Sequence, residues 1–564
     1  MNAPSTSQTA PRESARPASL GDLDAVADVV VVGGGGGGLP AALFSRWQGN
    51  EVILLEKASQ LGGTANKAAF WYWIPNNAAM RAAGVQDDRD GYLRYVARLT
   101  RPHQYDPDSP TMGLTQWEYD MCAAIYDSAS DAAELLAERD ALPYRHCGDV
   151  PDYWSHLPED NAPTGRILLP RAARESMSDG GRVGIGTMSA AARRDGVDIR
   201  LEHRVQRVIH DGTEVVGVEA TTPDGTTVRV GARKAVVFAS GGFTHDGDLR
   251  ANFLGFPAYG GCAAMTNEGD FVQISTAVGA QLRNMSNAWM CPIPLEKAVR
   301  RDPTMSGMFS VAGDSMIWVD RTGRRSTNEK LPYNEQGRLF YEWDPVHAAY
   351  PKLVQFQIWD QRSQDHSASD EYGRLIVPPG EPDYHVIKGD TLDELAAAIG
   401  DRLAEYRHVT GGMTLSEDFA DNLRASIERF NRFAEAGVDQ DFHRGETPVE
   451  FVFNGVVKDE PGRKNDTMWP ISGSGPYYAA MVTGGTLDTK GGPRTSPDGE
   501  VLDDVGSPIP GLFGVGNCVA SASAGAYWAG GATLGPIIAM AYRTARAAAA
   551  RPVRDLATST VTAR

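Results

Sequence analysis

Gly33, Gly35 and Gly38 stand at the spacing a strand-to-helix turn needs when backbone must come close to a diphosphate. The first glycine permits the tight turn, the second lets the chain approach the phosphates, and the third lets helix pack on strand. The start of the following helix then offers N–H groups to the anion. Glu56, roughly twenty residues on, ends the next apolar run, where a carboxylate accepts from a ribose hydroxyl. This is dinucleotide-binding chemistry. Six consecutive glycines, Gly33 to Gly38, carry an entropic cost that a ligand-facing turn explains.

Other chemistries find less support. The five cysteines, Cys122, Cys147, Cys262, Cys291 and Cys518, show no CxxC spacing, and no histidine sits at a metal-ligand offset, so no metal site is expected. Scattered cysteines of odd number read as reduced thiols of a cytoplasmic protein. Lys and Arg number 54 against 72 Asp and Glu, a net charge of −18, which argues against nucleic acid or anionic membrane as partner. No uninterrupted apolar run reaches membrane-spanning length, and the stretch from Leu534 to Ala550 contains Arg543 and Arg546. The first two dozen residues, rich in Ala, Ser, Pro and Thr, read as a disordered tail without a signal peptide.

The elements that position the glycine turn are legible around it. Asp28 to Val32 is a β-branched run of the kind found in buried parallel strands, Leu39 to Trp47 carries helix formers, and Glu51 to Glu56 is a second buried strand. This is one βαβ unit. Ala78 to Leu142 reads as mostly helical, broken at Arg101 to Pro110. Asp198 to Val208, Val215 to Ala220, Thr226 to Val230 and Ala235 to Ala239 read as strands, with Asp211-Gly212 as a hairpin turn. From Arg283 to about Trp469 the βαβ rhythm is lost: a strand is expected at Met316 to Val319, and helices at Leu392 to Glu405 and Leu423 to Ala436. Short strands return from Tyr477, and a last helix starts near Leu534.

The ends therefore share one character and the middle another. The expected fold is α/β, a Rossmann-like nucleotide domain built from both chain ends with an inserted α+β domain. The expected boundaries are a tail over 1–25, the nucleotide domain over 26–284 and 470–555, and the inserted substrate-binding domain over 285–469.

Several segments resemble flavoprotein motifs. Glu56-Lys57 followed by Gly62-Gly63-Thr64-Ala65 resembles the continuation "E-K-x(3–4)-GG-[ST]", in which glycines and hydroxyl approach the flavin. Gly511 to Asn517 resembles "GLYAAGN", where the chain returns to the cofactor. Trp73 to Asn77 matches "WIPNN", Ser240 to Phe243 "SGGF", and Gly323-Arg324-Arg325 with Asn328-Glu329 and Pro332-Tyr333 "GRRFxNExxPY". Gly485 to Gly492 matches "GTLxTKGG", and Tyr527 to Pro536 resembles "YPGPGGTIGP". Together these resemble 3-ketosteroid 1-dehydrogenases, within the fumarate reductase-like flavoprotein superfamily, over roughly residues 26 to 550. Cyclohexanone dehydrogenases are neighbours of that group.

The resemblance implies FAD, held without a covalent bond because Thr64-Ala65-Asn66-Lys67 contains no histidine. It implies cofactor contacts at Gly33, Gly35, Gly38, Glu56, Lys57, Gly62, Gly63, Thr64, Ala65, Gly242, Gly516, Asn517, Thr533 and Leu534. The implied reaction removes two hydrogens from adjacent carbons of an apolar cyclic ketone, a hydride to flavin N5 and a proton to a base. Tyr527 and the Gly531 N–H match the donors to the ketone oxygen, and Tyr333 matches the base. A phenol with a pKa of about 10 needs a partner to serve as one, and Tyr153 is expected in that role, with Tyr119 in reserve. Trp71, Tyr72, Trp117 and Trp528 either line the substrate slot or pack in the core, and Trp528, standing where a proline is usual, is expected to narrow or reshape the entrance. Tyr477-Tyr478 reads as core near the flavin, and Asp360 as a structural acceptor. The electron acceptor stays open among quinone, protein and oxygen. The alternative within the superfamily is a fumarate- or urocanate-type reductase, which uses an arginine at the late segment; residues 527–531 have none, and the nearest, Arg543, lies in the last helix.

Overall fold

The computed structural model describes residues 18–19, 22–162, 164–174, 179–305, 313–367, 376–377, 382–452 and 461–556. Its largest sheet has a parallel centre. Val52–Leu55, Ala25–Val32 and Thr227–Phe238 lie side by side, with Asp198–Arg200 outside Val52–Leu55 and Pro508–Gly514 beside Val236–Phe238. Alternation divides the central strand between two cores. Val29 and Val31 face a cluster shared with Leu39, Phe44 and the last helix, Leu534–Ala550; Val30 and Val32 face another with Phe238 and Phe271. A strand buried on both faces needs an unbroken β-branched run, which is what Val29–Val32 supplies. Both ends of the chain thus enter one sheet, and their loops gather at its carboxyl edge.

A second sheet is antiparallel, ordered Ala288–Pro294, Tyr477–Thr489, Val354–Asp360 and Met316–Val319, with Val386–Gly389 also on the long strand. The helices Leu392–Glu405 and Phe419–Ala436 cover one face through Leu395, Leu423 and Phe430 against Phe356, Ile358 and Met481. The long strand's far end carries Asp488 and Thr489 to Gly242 at the edge of the first sheet. A small third sheet joins Tyr72–Trp73, Ile167–Pro170 and Tyr144–His146. Among the described residues no helix is long and apolar enough to cross a membrane.

Three local expectations differ. The strand read over 198–208 is two, Asp198–Arg200 and Arg204–His210, because Glu202 takes a left-handed conformation between them. The strands read at 226–230 and 235–239 form one, Thr227–Phe238, whose register shifts between Ala232 and Ala235. There Arg233 reaches Asp28 and Lys234 reaches Asn50, which anchors the irregularity. Ala18–Ser19, placed in the tail by composition, pairs in parallel with Ile209 and His210; residues 1–17 and 20–21 lie outside the described residues.

Candidate active site

The six glycines divide by what their missing side chains would meet. A Cβ on Gly33 would lie 2.4 Å from the Ala239 carbonyl oxygen, and one on Gly38 1.7 Å from that of Gly33, so strand–helix packing demands both. Gly36 packs on Leu534 and Ala65. Gly35 differs: it bridges Gly62, and its Cβ would meet nothing closer than 3.6 Å. Packing does not require glycine there; a group lying against the backbone does. The helices Gly38–Trp47 and Leu534–Ala550 both begin without a side-chain cap, and they begin side by side, since Gly36 abuts Leu534. Two such N-termini at one glycine turn form a site for a diphosphate. Gly516, in the left-handed region with open space on its Cα, borders the same turn through Ile537, which also flanks Gly37. The residues present fit FAD.

Glu56 accepts from the Gly34 N–H at 2.7 Å through one oxygen and from the Ala58 N–H at 2.8 Å through the other. These bonds fix its carboxylate at the end of Val52–Leu55 and leave lone pairs for a ribose hydroxyl. Lys57 turns away: its ammonium pairs with Asp270 at 2.6 Å and Glu268 at 3.4 Å. Thr64 Oγ1 accepts from the Ala264 N–H and from Asn267.

Behind this loop lies a residue that motif reading missed. Asp488 is buried, and its carboxylate accepts from the Gly242 N–H (3.1 Å), Asn267 Nδ2 (2.7 Å), Asn517 Nδ2 (3.1 Å), Thr244 Oγ1 (3.0 Å) and the Thr489 N–H (2.9 Å). Burial pushes its carboxyl above the ordinary value and the donors oppose that. One side chain therefore ties Gly242, Asn517 and, through Asn267, Thr64 into a single frame. Its only sequence signal is an acid within the otherwise uncharged stretch 477–489.

Tyr153, Tyr333 and Tyr527 meet at one place. The ring centroids of Tyr333 and Tyr527 are 5.3 Å apart, those of Tyr153 and Tyr527 5.6 Å, and those of Tyr153 and Tyr333 5.9 Å. The Tyr153 hydroxyl donates to that of Tyr333 at 3.0 Å, and Thr533 donates to that of Tyr527 at 3.3 Å. All three rings are buried. Burial first, then the neighbouring phenols, lifts Tyr333 well above the ordinary phenol value, and burial lifts Tyr527. Tyr333 opens the helix Tyr333–Leu339, so the fixed Pro332 φ sets its direction. Trp289 packs on Tyr527 at 4.9 Å and donates its Nε1 to Asn517, linking the tyrosines to the cofactor frame.

Gly531 lies in the left-handed region, and a Cβ there would lie 2.6 Å from the Trp71 carbonyl carbon. Its own carbonyl accepts from the Trp73 N–H at 3.1 Å. The "WIPNN" segment and the late segment are thus face to face, with the Trp71 ring lying over Gly530. Of the two readings of Trp528 the structure shows the core one: its indole is buried, donating to Thr100 Oγ1 and packed on Trp73.

Tyr153 owes its position to a buried ion cluster. Arg166 binds both oxygens of Asp87 at 2.8 and 2.9 Å, Asp160 at 3.1 Å and, in a short contact, Asp152. Asp152 also accepts from Trp73 Nε1 at 2.9 Å, and Asp87 accepts from the Asn76 N–H. Burial raises the Asp152 carboxyl to about 6 against the pull of Arg166.

The remaining expectations sort plainly. Trp117 donates to the Thr495 carbonyl under Arg494, and Tyr119 lies by Arg89 on the outer helix, so neither joins the tyrosines. Tyr72 is buried in the core on Phe70. Tyr477 and Tyr478 pair with Asp360 and Trp359 at the opposite end of the long strand from Asp488, which corrects their expected place near the flavin. Asp360 accepts from Ser315, Ser363 and Ser472, as a structural acceptor does. Arg543 points outward to Asp498 and the Pro497 carbonyl.

Comparison with known proteins shows the family of the chain. The model of the FAD binding domain family matches residues 28–534. A 4-oxocyclohexanecarboxylate 2-dehydrogenase of Sinomonas cyclohexanicum is 32% identical over 92% of this chain and 92% of its own length. A 3-oxosteroid 1-dehydrogenase of Mycobacterium tuberculosis (strain ATCC 25618 / H37Rv) is 28% identical over 92% of this chain and 97% of its own. The crystal structure of 3-ketosteroid delta1-dehydrogenase from Sterolibacterium denitrificans shares the fold, with a TM-score of 0.76 at 24% identity over 93% of this chain and 99% of its own. The chain belongs to the FAD binding domain family and is an FAD-dependent oxidoreductase.

Proposed function

We propose that this enzyme introduces a carbon–carbon double bond beside the carbonyl of a cyclic ketone. The observation that carries the reading is the meeting of Tyr153, Tyr333 and Tyr527 in one buried place linked to the cofactor frame through Trp289. Bound FAD supplies a hydride acceptor. Tyr527, with the Gly531 N–H, binds the ketone oxygen; uncharged donors in a dry site stabilise the enolate as it forms. Tyr333, as its phenolate, takes the α proton and becomes a neutral phenol; until then the Tyr153 hydroxyl donates to the phenolate.

Two things favour a monocyclic ketone over a steroid. The likeness to the cyclohexanecarboxylate enzyme is 32% against 28% for the steroid enzyme, and Trp71 fills the space over Gly530. The reductase alternative lacks support, because Arg543 is turned outward. We further propose the two-domain division given above, with the ketone held between its parts.

The test is anaerobic mixing of the FAD-loaded protein with saturated cyclohexanones, 4-oxocyclohexanecarboxylate and 3-ketosteroids. Bleaching of the flavin by a cyclohexanone, faster than by a steroid, is expected. Bleaching by none of them, with reoxidation of the reduced protein by an unsaturated acid, makes the protein a reductase.

A further inference from the structure

The segment after the long strand carries a buried charge that the reaction above does not use. Lys490 is fully buried and has no ion pair among the described residues. Its Nζ donates to Ser523 Oγ at 3.0 Å, to the Ala524 carbonyl at 2.9 Å and to the Ala526 carbonyl at 2.5 Å, and it sits 3.8 Å from the centre of the Trp289 ring. Burial lowers this amine well below the ordinary lysine value, and three neutral acceptors and a π face surround it. All its hydrogen-bond acceptors lie within the four residues that precede Tyr527.

That turn is held from the other side as well. The Gly525 carbonyl accepts from Arg338 Nη2 at 2.6 Å and from Asn334 Nδ2 at 3.4 Å, both on the helix that Tyr333 opens. Between the two grips Ala524 is kept in the left-handed region, which a residue with a Cβ holds only where its surroundings over-determine it. The Trp289 ring touches both the Lys490 amine and the Tyr527 ring.

We infer that Lys490 is the positioning residue for Tyr527: it pins the turn 523–526 and, with Trp289, sets the phenol against Tyr333 and Tyr153. The inference rests on the ketone reading for its effect on rate, but not for its effect on the turn.

Lys490→Met keeps the length and removes the donors and the charge. Two measurements on the FAD-loaded protein test it. Without any substrate, hydrogen exchange of the amides over 521–527 should speed at least tenfold, with those over 33–56 unchanged; unchanged exchange over 521–527 overturns the inference. With a ketone, flavin reduction should slow 10- to 100-fold in the wild-type background and less than twofold in Tyr527→Phe, because a residue that acts through Tyr527 has nothing left to position. The full loss in both backgrounds also overturns it. If Lys490→Met does not hold FAD, the same cycle with Ser523→Ala, which removes one of the three bonds, should show a smaller loss that again vanishes in Tyr527→Phe. If no ketone reduces the wild-type flavin, the ketone reading falls and the exchange measurement alone decides the role of Lys490.

Discussion

The Tyr153 hydroxyl donates to the Tyr333 hydroxyl at 3.0 Å, across 180 positions of chain. The bond gives a buried phenol the one thing it needs to act as a base, a donor for its phenolate. A hydrogen bond to a charged partner contributes roughly 1.5–3 kcal/mol, or about 10- to 100-fold in rate. Tyr153→Phe should therefore slow flavin reduction by that factor at neutral pH. The base must lose its proton to act, so the rate falls as pH falls through the Tyr333 value, which burial already holds high. Removing Tyr153 takes away both a donor and a neighbouring phenol, and should displace the ascending limb of the pH–rate profile. A limb that stays in place would show that Tyr153 does not serve Tyr333.

Tyr527 binds the ketone oxygen in this account. Tyr527→Phe should lower the rate of flavin reduction by about two orders of magnitude, the usual effect of one oxyanion donor, while FAD stays bound. Wild-type bleaching by a ketone in this variant would falsify the carbonyl assignment.

Asp488 gathers five donors from four segments of chain. Asn at this position sets an amide N–H against some of them and costs about 1–3 kcal/mol for each donor left unpaired. Asp488→Asn should weaken FAD binding by roughly 10- to 100-fold, read by titrating the apoprotein with FAD. Unchanged affinity would leave Asp488 a core residue with no part in the cofactor frame.

His245 gives a stability prediction. Burial, then Arg250, Arg301 and Lys67, lowers its imidazole from 6.5 to about 4, against the hydrogen bond to the Ala263 carbonyl. Below pH 6.5 the unfolded chain takes up a proton that the folded one refuses until about pH 4. This contribution to stability is thus present above 6.5 and lost as pH falls towards 4, on the order of 3 kcal/mol in all. In His245→Gln the difference in unfolding free energy between those pH values should shrink by that amount; an identical pH dependence contradicts it.

How much the sequence disclosed follows from the range of each interaction. Gly33, Gly35 and Gly38 were legible because strand, turn and helix are consecutive, and Tyr527 and Gly531 because they share one short segment with a left-handed glycine. The long strand's pairing set Asp488 beside residues 221 to 246 positions away, and no local pattern shows that. Arg166 is likewise a lone arginine until folding brings Asp87 and Asp152 to it. Trp528 sits in a legible motif, but only the fold decides between slot and core, and its ring packs into the core at Thr100. Lys57 sits where a cofactor contact is expected, yet Asp270 holds its ammonium.

The central claim is that a saturated ring ketone gives its hydrogens to this protein's flavin. It is tested most directly by following flavin bleaching, without oxygen, on mixing with a saturated cyclohexanone carrying deuterium or hydrogen on the β carbon. The account predicts bleaching, formation of the conjugated enone, and a severalfold slower reaction with deuterium. A flavin that stays oxidised with every saturated ketone offered would contradict it.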